Sequence, residues 1–176
     1  MNPQEFRERY IKAMPPIPED LEIELGEFSE YSKEAVDSLK IRERDRRLLS
    51  EVGFPSESAP FLTFGQPGQE PFRPISQVIG RLTDEFDNYR LFGGTGSGDP
   101  ICIDETDGTV VYLNHDLEMK RVFMNSSISQ LAETLCLLAE AMHSNRSIEF
   151  ILELGRIDGA AVGEDTMWSN EHGLDG

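Results

Sequence analysis

Pro100-Ile101-Cys102-Ile103-Asp104-Glu105-Thr106-Asp107-Gly108-Thr109-Val110-Val111-Tyr112-Leu113 is the stretch whose reading decides the fold. Two short apolar runs, 100–103 and 109–113, flank Asp107-Gly108, where glycine supplies the positive φ that a tight hairpin needs. This is the strongest local hairpin signal in the chain. On either side lie further short runs punctuated by Gly, Pro and Asp: Pro60 to Phe64, Tyr89 to Phe92 and Lys120 to Met124. The short links between them favour antiparallel neighbours. After the last run, Ile128, Leu131, Leu135, Leu138 and Met142 recur at spacings of 3, 4, 3 and 4. That period predicts a helix with one apolar stripe, whose five residues are expected in the core. Ser127 and Gln130 stand three apart at its start, as in a capping box.

Farther out, Phe6, Tyr10, Ile11 and Met14 fall on one face of a helix over residues 5–14, which Pro15-Pro16 ends. Leu21, Ile23 and Leu25 alternate with Glu22 and Glu24, which predicts a half-exposed strand with an acidic outer face. Residues 27–41 have weak periodicity and their form stays open. Arg42 to Val52 read as a helix with Arg42, Arg44, Arg46 and Arg47 outside and Leu48, Leu49 and Val52 inside, stopped at Gly53. A short helix is expected over Ile148 to Leu154. These patterns describe an α+β chain, a single domain over residues 1–154, with an irregular tail over 155–176 holding one docked turn around Met167 and Trp168.

Composition narrows the function. The chain of 176 residues carries 33 acidic against 16 basic residues, a formal charge of −17. Such a surface repels nucleic acid and anionic membranes and attracts basic partners. The charge is uneven, with 18 acids and 12 bases in residues 1–90 (−6) and 15 acids and 4 bases in 91–176 (−11). No run approaches the roughly 18 apolar residues of a membrane span, and no basic-then-apolar leader opens the chain, so a cytoplasmic protein is expected. Cys102 and Cys136 are too few for a disulfide framework and are expected as core thiols.

Candidate chemistry is sparse. Gly93-Gly94-Thr95-Gly96-Ser97-Gly98 contains the glycines of a phosphate loop, but Asp99-Pro100 leads into a strand and no Lys follows, so the expectation is a strand-to-strand loop and no nucleotide cofactor. Asp99, Asp104, Glu105, Asp107, Asp116 and Glu118 lie within 20 residues. They lack the ligand rhythm of a calcium loop. The cluster is read as exposed carboxylates for a basic protein partner, with no metal. His115 is a turn residue. No nucleophile elbow or zinc helix is present, so no catalytic residue is assigned and an enzyme is not expected.

The order of several motifs resembles the SUKH superfamily, and within it the fourth subgroup. The resemblance rests on Ser50-Glu51-Val52-Gly53-Phe54-Pro55, Phe61-Leu62-Thr63-Phe64, Tyr89-Arg90-Leu91-Phe92-Gly93 and Gly96-Ser97-Gly98-Asp99-Pro100-Ile101-Cys102-Ile103-Asp104. Gly108-Thr109-Val110-Val111-Tyr112-Leu113-Asn114-His115 and Val122-Phe123-Met124-Asn125-Ser126-Ser127 complete it, over about residues 45 to 145. It implies a strongly bent, mainly antiparallel central sheet flanked by helices. It also implies an immunity protein that binds and neutralises a cognate toxin domain of a polymorphic secretion system, often one acting on nucleic acid. The alternative within the same family is a regulatory interaction module. The family supplies no catalytic residues.

Overall fold

The protein is described here from a computed structural model, which covers residues 1–14, 27–65, 70–144 and 147–171. The strand expected at Leu21 to Leu25 lies outside these residues.

The hairpin forms as its sequence requires. Strands β6 (Pro100–Asp104) and β7 (Val110–Asn114) pair through Ile101 with Tyr112, Cys102 with Val111 and Ile103 with Val110. In the turn, the Asp107 carboxylate accepts from the Thr109 amide at 2.9 Å and from its hydroxyl at 2.6 Å, and Asp104 accepts from the Thr106 amide at 3.0 Å. Such local side-chain acceptors satisfy amides that the strands cannot.

Working outward, β5 (Tyr89–Thr95) and β4 (Leu62–Phe64) extend the sheet on one side, ending in the two-residue β3 (Glu57–Ser58), and β8 (Lys120–Asn125) extends it on the other. The order β3-β4-β5-β6-β7-β8 is an antiparallel meander. Register shifts at Leu91/Gly93 and Val110/Val111 mark irregularities of the kind that bend a strand and increase its twist. Gly93 is required where β4 crosses closest, because a β-carbon there would lie 2.0 Å from the Thr63 carbonyl oxygen.

Strand β6 is buried along its whole length, so its apolar run is continuous rather than alternating. Ile101 and Ile103 face the main core; Cys102 faces a smaller cluster with Ile75, Val111 and Leu113. That smaller cluster is closed by Ile79, Leu82 and Phe86, from the chain around the short helix α4 (Ile75–Val78).

The main core lies under α1 (Pro3–Ala13), α3 (Glu43–Glu51) and α5 (Ile128–Ser144). Ile128, Leu131 and Leu135 are fully buried, as their spacing predicts. Leu138 is half-buried, and Met142 is corrected from core to surface at 65 % exposure. The heptad-like spacing found the correct stripe but overran the length of the contact. On α1, Phe6 and Tyr10 are buried while Ile11 is exposed, so the stripe there is narrower than expected. Gly53 ends α3 at φ +77°, its amide donating to the Leu48 carbonyl at 3.2 Å.

The open stretch 27–41 supplies β1 (Phe28–Ser29), paired with β2 (Phe54–Pro55), and the short helix α2 (Lys33–Asp37). At the other end, the boundary expected at residue 154 falls inside α6 (Ser147–Ile157). The tail expected to be irregular carries a 3-10 turn over Gly159–Val162 and then α7 (Met167–Glu171). Its anchor is Trp168, 1 % exposed, whose indole N–H donates to the Met124 carbonyl and the Asn125 side-chain oxygen, both at 3.1 Å. Ala161 and Met167 are buried with it, and the Thr166 hydroxyl donates to the Ala161 carbonyl at 2.8 Å.

Two carboxylates organise the start of α5. Asp45 on α3, 2 % exposed, accepts from the Ser129 amide at 2.8 Å and its hydroxyl at 2.6 Å. Asp158, 3 % exposed, accepts from the Ser126 amide at 2.6 Å, the Ser126 hydroxyl at 2.8 Å and the Asn125 amide group at 3.2 Å. Asp45 takes up a first-turn amide that the helix leaves free, Asp158 fixes the residues that lead into it, and both oppose its positive dipole end. The expected capping box is only half formed. Ser127 Oγ accepts from the Gln130 amide at 3.2 Å, but the Gln130 side chain turns to the Ser127 hydroxyl and the Ile157 carbonyl.

Candidate partner-binding surfaces

The six carboxylates expected to form one exposed cluster divide into two groups. Asp99, Asp104 and Glu105 are buried, at 6 %, 6 % and 8 % exposure, which corrects their reading as surface charges. Each has internal donors. Glu105 accepts from the Lys40 amide at 2.8 Å and from Arg90 Nε at 2.6 Å, tying the chain after α2 to β5. Asp104 lies 3.4 Å from Arg121 Nε and holds the hairpin turn. Asp99 Oδ1 accepts from the His115 amide at 2.9 Å and pairs with His115 Nδ1 at 2.6 Å, which fastens the β5–β6 turn to the end of β7.

His115 sits in a short 3-10 turn, as expected of a turn residue. Its hydrogen bond to Asp99, together with the nearby Asp116 carboxylate, raises its pKa above the ordinary histidine value. Asp107, Asp116 and Glu118 are the members of the set that reach solvent. Of these, Asp107 lies 3.3 Å from Arg121 and Asp116 lies 3.4 Å from His115 Nε2. The sheet end therefore presents carboxylates already partly engaged with this chain's own cations.

A second acidic surface lies away from the six carboxylates of the sheet end. A groove of about 720 Å³ runs between β1 and the β4–β5 edge, with Tyr31, Phe72, Leu91 and Phe92 among its lining residues. Glu27, Glu30, Glu57 and Glu70 also line it and are exposed. Among the described residues none of the four side chains has an ion-pair or hydrogen-bond partner. No local pattern announces this groove, because its walls come from residues 27–31, 56–65, 70–72 and 91–93.

Chemistry of other kinds finds little here. Burial raises the pKa of both thiols, that of Cys136 to about 12, so neither is an activated nucleophile. Among the described residues no group of three or more His, Cys, Asp or Glu is arranged to hold a metal ion. The glycine-rich stretch runs from the end of β5 into the turn before β6, with Gly98 at φ +88° and no helix following it. No described helix is long and apolar enough to cross a membrane.

No curated protein and no solved structure matches the chain. A sequence model of the SUKH-4 immunity proteins does match, over residues 18–170, which takes in the meander, α3, α5 and both acidic surfaces but not α1. Because that match spans most of the 176 residues, the chain belongs to the SUKH-4 immunity protein family.

Proposed function

We propose that this protein binds a cognate toxin domain with a basic surface and neutralises it by occupying that surface, without chemistry of its own. Membership of an immunity protein family carries the reading. The −17 charge supports the basic character of the partner, since a toxin acting on nucleic acid needs a cationic substrate surface. Opposed charge raises encounter rates by about 10- to 10³-fold, an advantage for an inhibitor that must reach its target first. Exposed carboxylates on the sheet end (Asp107, Asp116 and Glu118) would act chiefly in this encounter. The buried thiols, with their raised pKa values, support inhibition by contact rather than by cysteine chemistry.

The test is co-expression with the C-terminal domain of the protein encoded by the adjacent gene, which this reading expects to be toxic. Growth should be restored, and the two chains should co-purify as a complex that dissociates with rising salt. A toxic neighbour that is neither bound nor neutralised would remove the immunity assignment and leave a regulatory interaction module as the better reading.

A further inference from the structure

We infer that the groove between β1 and the β4–β5 edge is the specificity pocket of this protein, and that it receives an arginine-bearing segment of the partner. The inference rests on the reading above, in which that partner is the toxin.

Three independent features point to this ligand. The first is charge: Glu27, Glu30, Glu57 and Glu70 line the groove, exposed and without partners among the described residues. In sequence, no Lys or Arg falls between Lys12 and Lys33, while Glu19, Asp20, Glu22 and Glu24 precede Glu27. The second is an orphaned polar atom. Tyr31 is 7 % exposed and its buried hydroxyl has no hydrogen-bond partner among the described residues. It stands beside Gly65, another lining residue, 3.4 Å from where a β-carbon of Gly65 would be. A buried hydroxyl without a partner costs about 1–3 kcal/mol, a cost that a donor from outside would relieve.

The third feature is the lining. Tyr31, Phe72 and Phe92 form a contiguous aromatic wall, with ring centroids 4.9 Å apart for Tyr31 and Phe72 and 6.1 Å apart for Phe72 and Phe92. A guanidinium is planar, weakly hydrated and carries five donors in one plane. It can lie against the exposed margin of this wall while its edge donates to carboxylates and, with a small shift of the Tyr31 side chain, to the Tyr31 oxygen. An ammonium can meet the carboxylates but not the flat wall as well. The volume admits more than one side chain, which suits a segment of the partner rather than a single residue.

The first arm of the test titrates N-acetyl-arginine amide into the protein and follows the ring resonances of Tyr31, Phe72 and Phe92. Saturable shifts at these rings are expected, at least fivefold weaker with N-acetyl-citrulline amide, which has the same shape without the charge. Equal response to citrulline, or no saturable shift at the rings, would overturn the inference. The second arm measures affinity for the neighbouring toxin domain. The combined variant Glu27→Gln, Glu30→Gln, Glu57→Gln, Glu70→Gln should lose at least tenfold. Tyr31→Phe, which keeps the ring, should lose about fivefold while melting no lower than the parent. If the parent neutralises the toxin and both variants keep full affinity, the groove assignment is wrong and the immunity reading stands. If the parent does not bind the toxin at all, the immunity reading fails, and the arginine titration alone decides whether the groove recognises guanidinium.

Discussion

The start of α5 and the rim of the groove are both built with carboxylates, yet these do opposite work. Asp45 and Asp158 are buried among donors that the fold supplies, accepting four bonds of 2.6 to 2.8 Å from Ser126 and Ser129. Glu27, Glu30, Glu57 and Glu70 face solvent with no donor supplied by the described residues. A carboxylate's role is thus set by whether the fold has already met its demand for hydrogen bonds. Net charge cannot distinguish the two cases, and the sheet-end cluster, with Asp104 and Glu105 buried and Asp107 engaged, lies between them.

The comparison fails if the buried acids prove dispensable. Asp45→Ala strands the Ser129 amide and hydroxyl and releases Arg42, and a loss of about 3 kcal/mol is expected in denaturant unfolding, with Asp158→Ala similar. Changes below about 1 kcal/mol would show that these donors find water instead. A smaller effect, about 2 kcal/mol, is expected for Glu105→Gln, which keeps an acceptor for Lys40 but removes the charge facing Arg90. The rim variants should stay within about 0.5 kcal/mol of the parent, since each removes only an exposed, unpaired charge.

The smallest effect is electrostatic and local. His115 should titrate above the ordinary value of about 6.5, and Asp99→Asn should bring it down, as followed by the imidazole proton resonances. Because the folded-state pKa is raised, the stability from this pair is complete below the unfolded value and is lost as pH rises through the folded one. With the ring nearly half exposed, the change in stability will be slight. A histidine titrating at or below its ordinary value would break the assignment of the Asp99 contact.

Much of the fold was legible because its signals are local. Asp107-Gly108 marks a turn whose hydrogen bonds lie within the turn, and the Ile128 to Leu135 spacing reports a face that depends only on helical period. What escaped depends on partners distant in sequence. Nothing near Asp45 indicates that it caps a helix 84 residues away, and nothing near Trp168 indicates that Met124 and Asn125 hold its indole. The candidate site was harder still. The −11 balance of the second half directed attention to the sheet end, whereas the unpaired glutamates of the groove all lie in the first half. There Arg42, Arg46 and Arg47 pair with acids of their own helix, so they make the formal charge of that half less negative without neutralising the groove.

The most direct test sets the two exposed acidic surfaces against each other in the kinetics of toxin binding. One variant carries Gln at Glu27, Glu30, Glu57 and Glu70; the other carries Asp107→Asn, Asp116→Asn and Glu118→Gln. Association and dissociation rates with the neighbouring toxin domain are measured across ionic strength. The sheet-end variant should associate more slowly, with a shallower salt dependence and an almost unchanged dissociation rate, as exposed encounter charges do. The groove variant should dissociate at least tenfold faster, because it loses contacts made within the complex. Equal losses in both variants, confined to association, would contradict the account and reduce recognition to bulk charge.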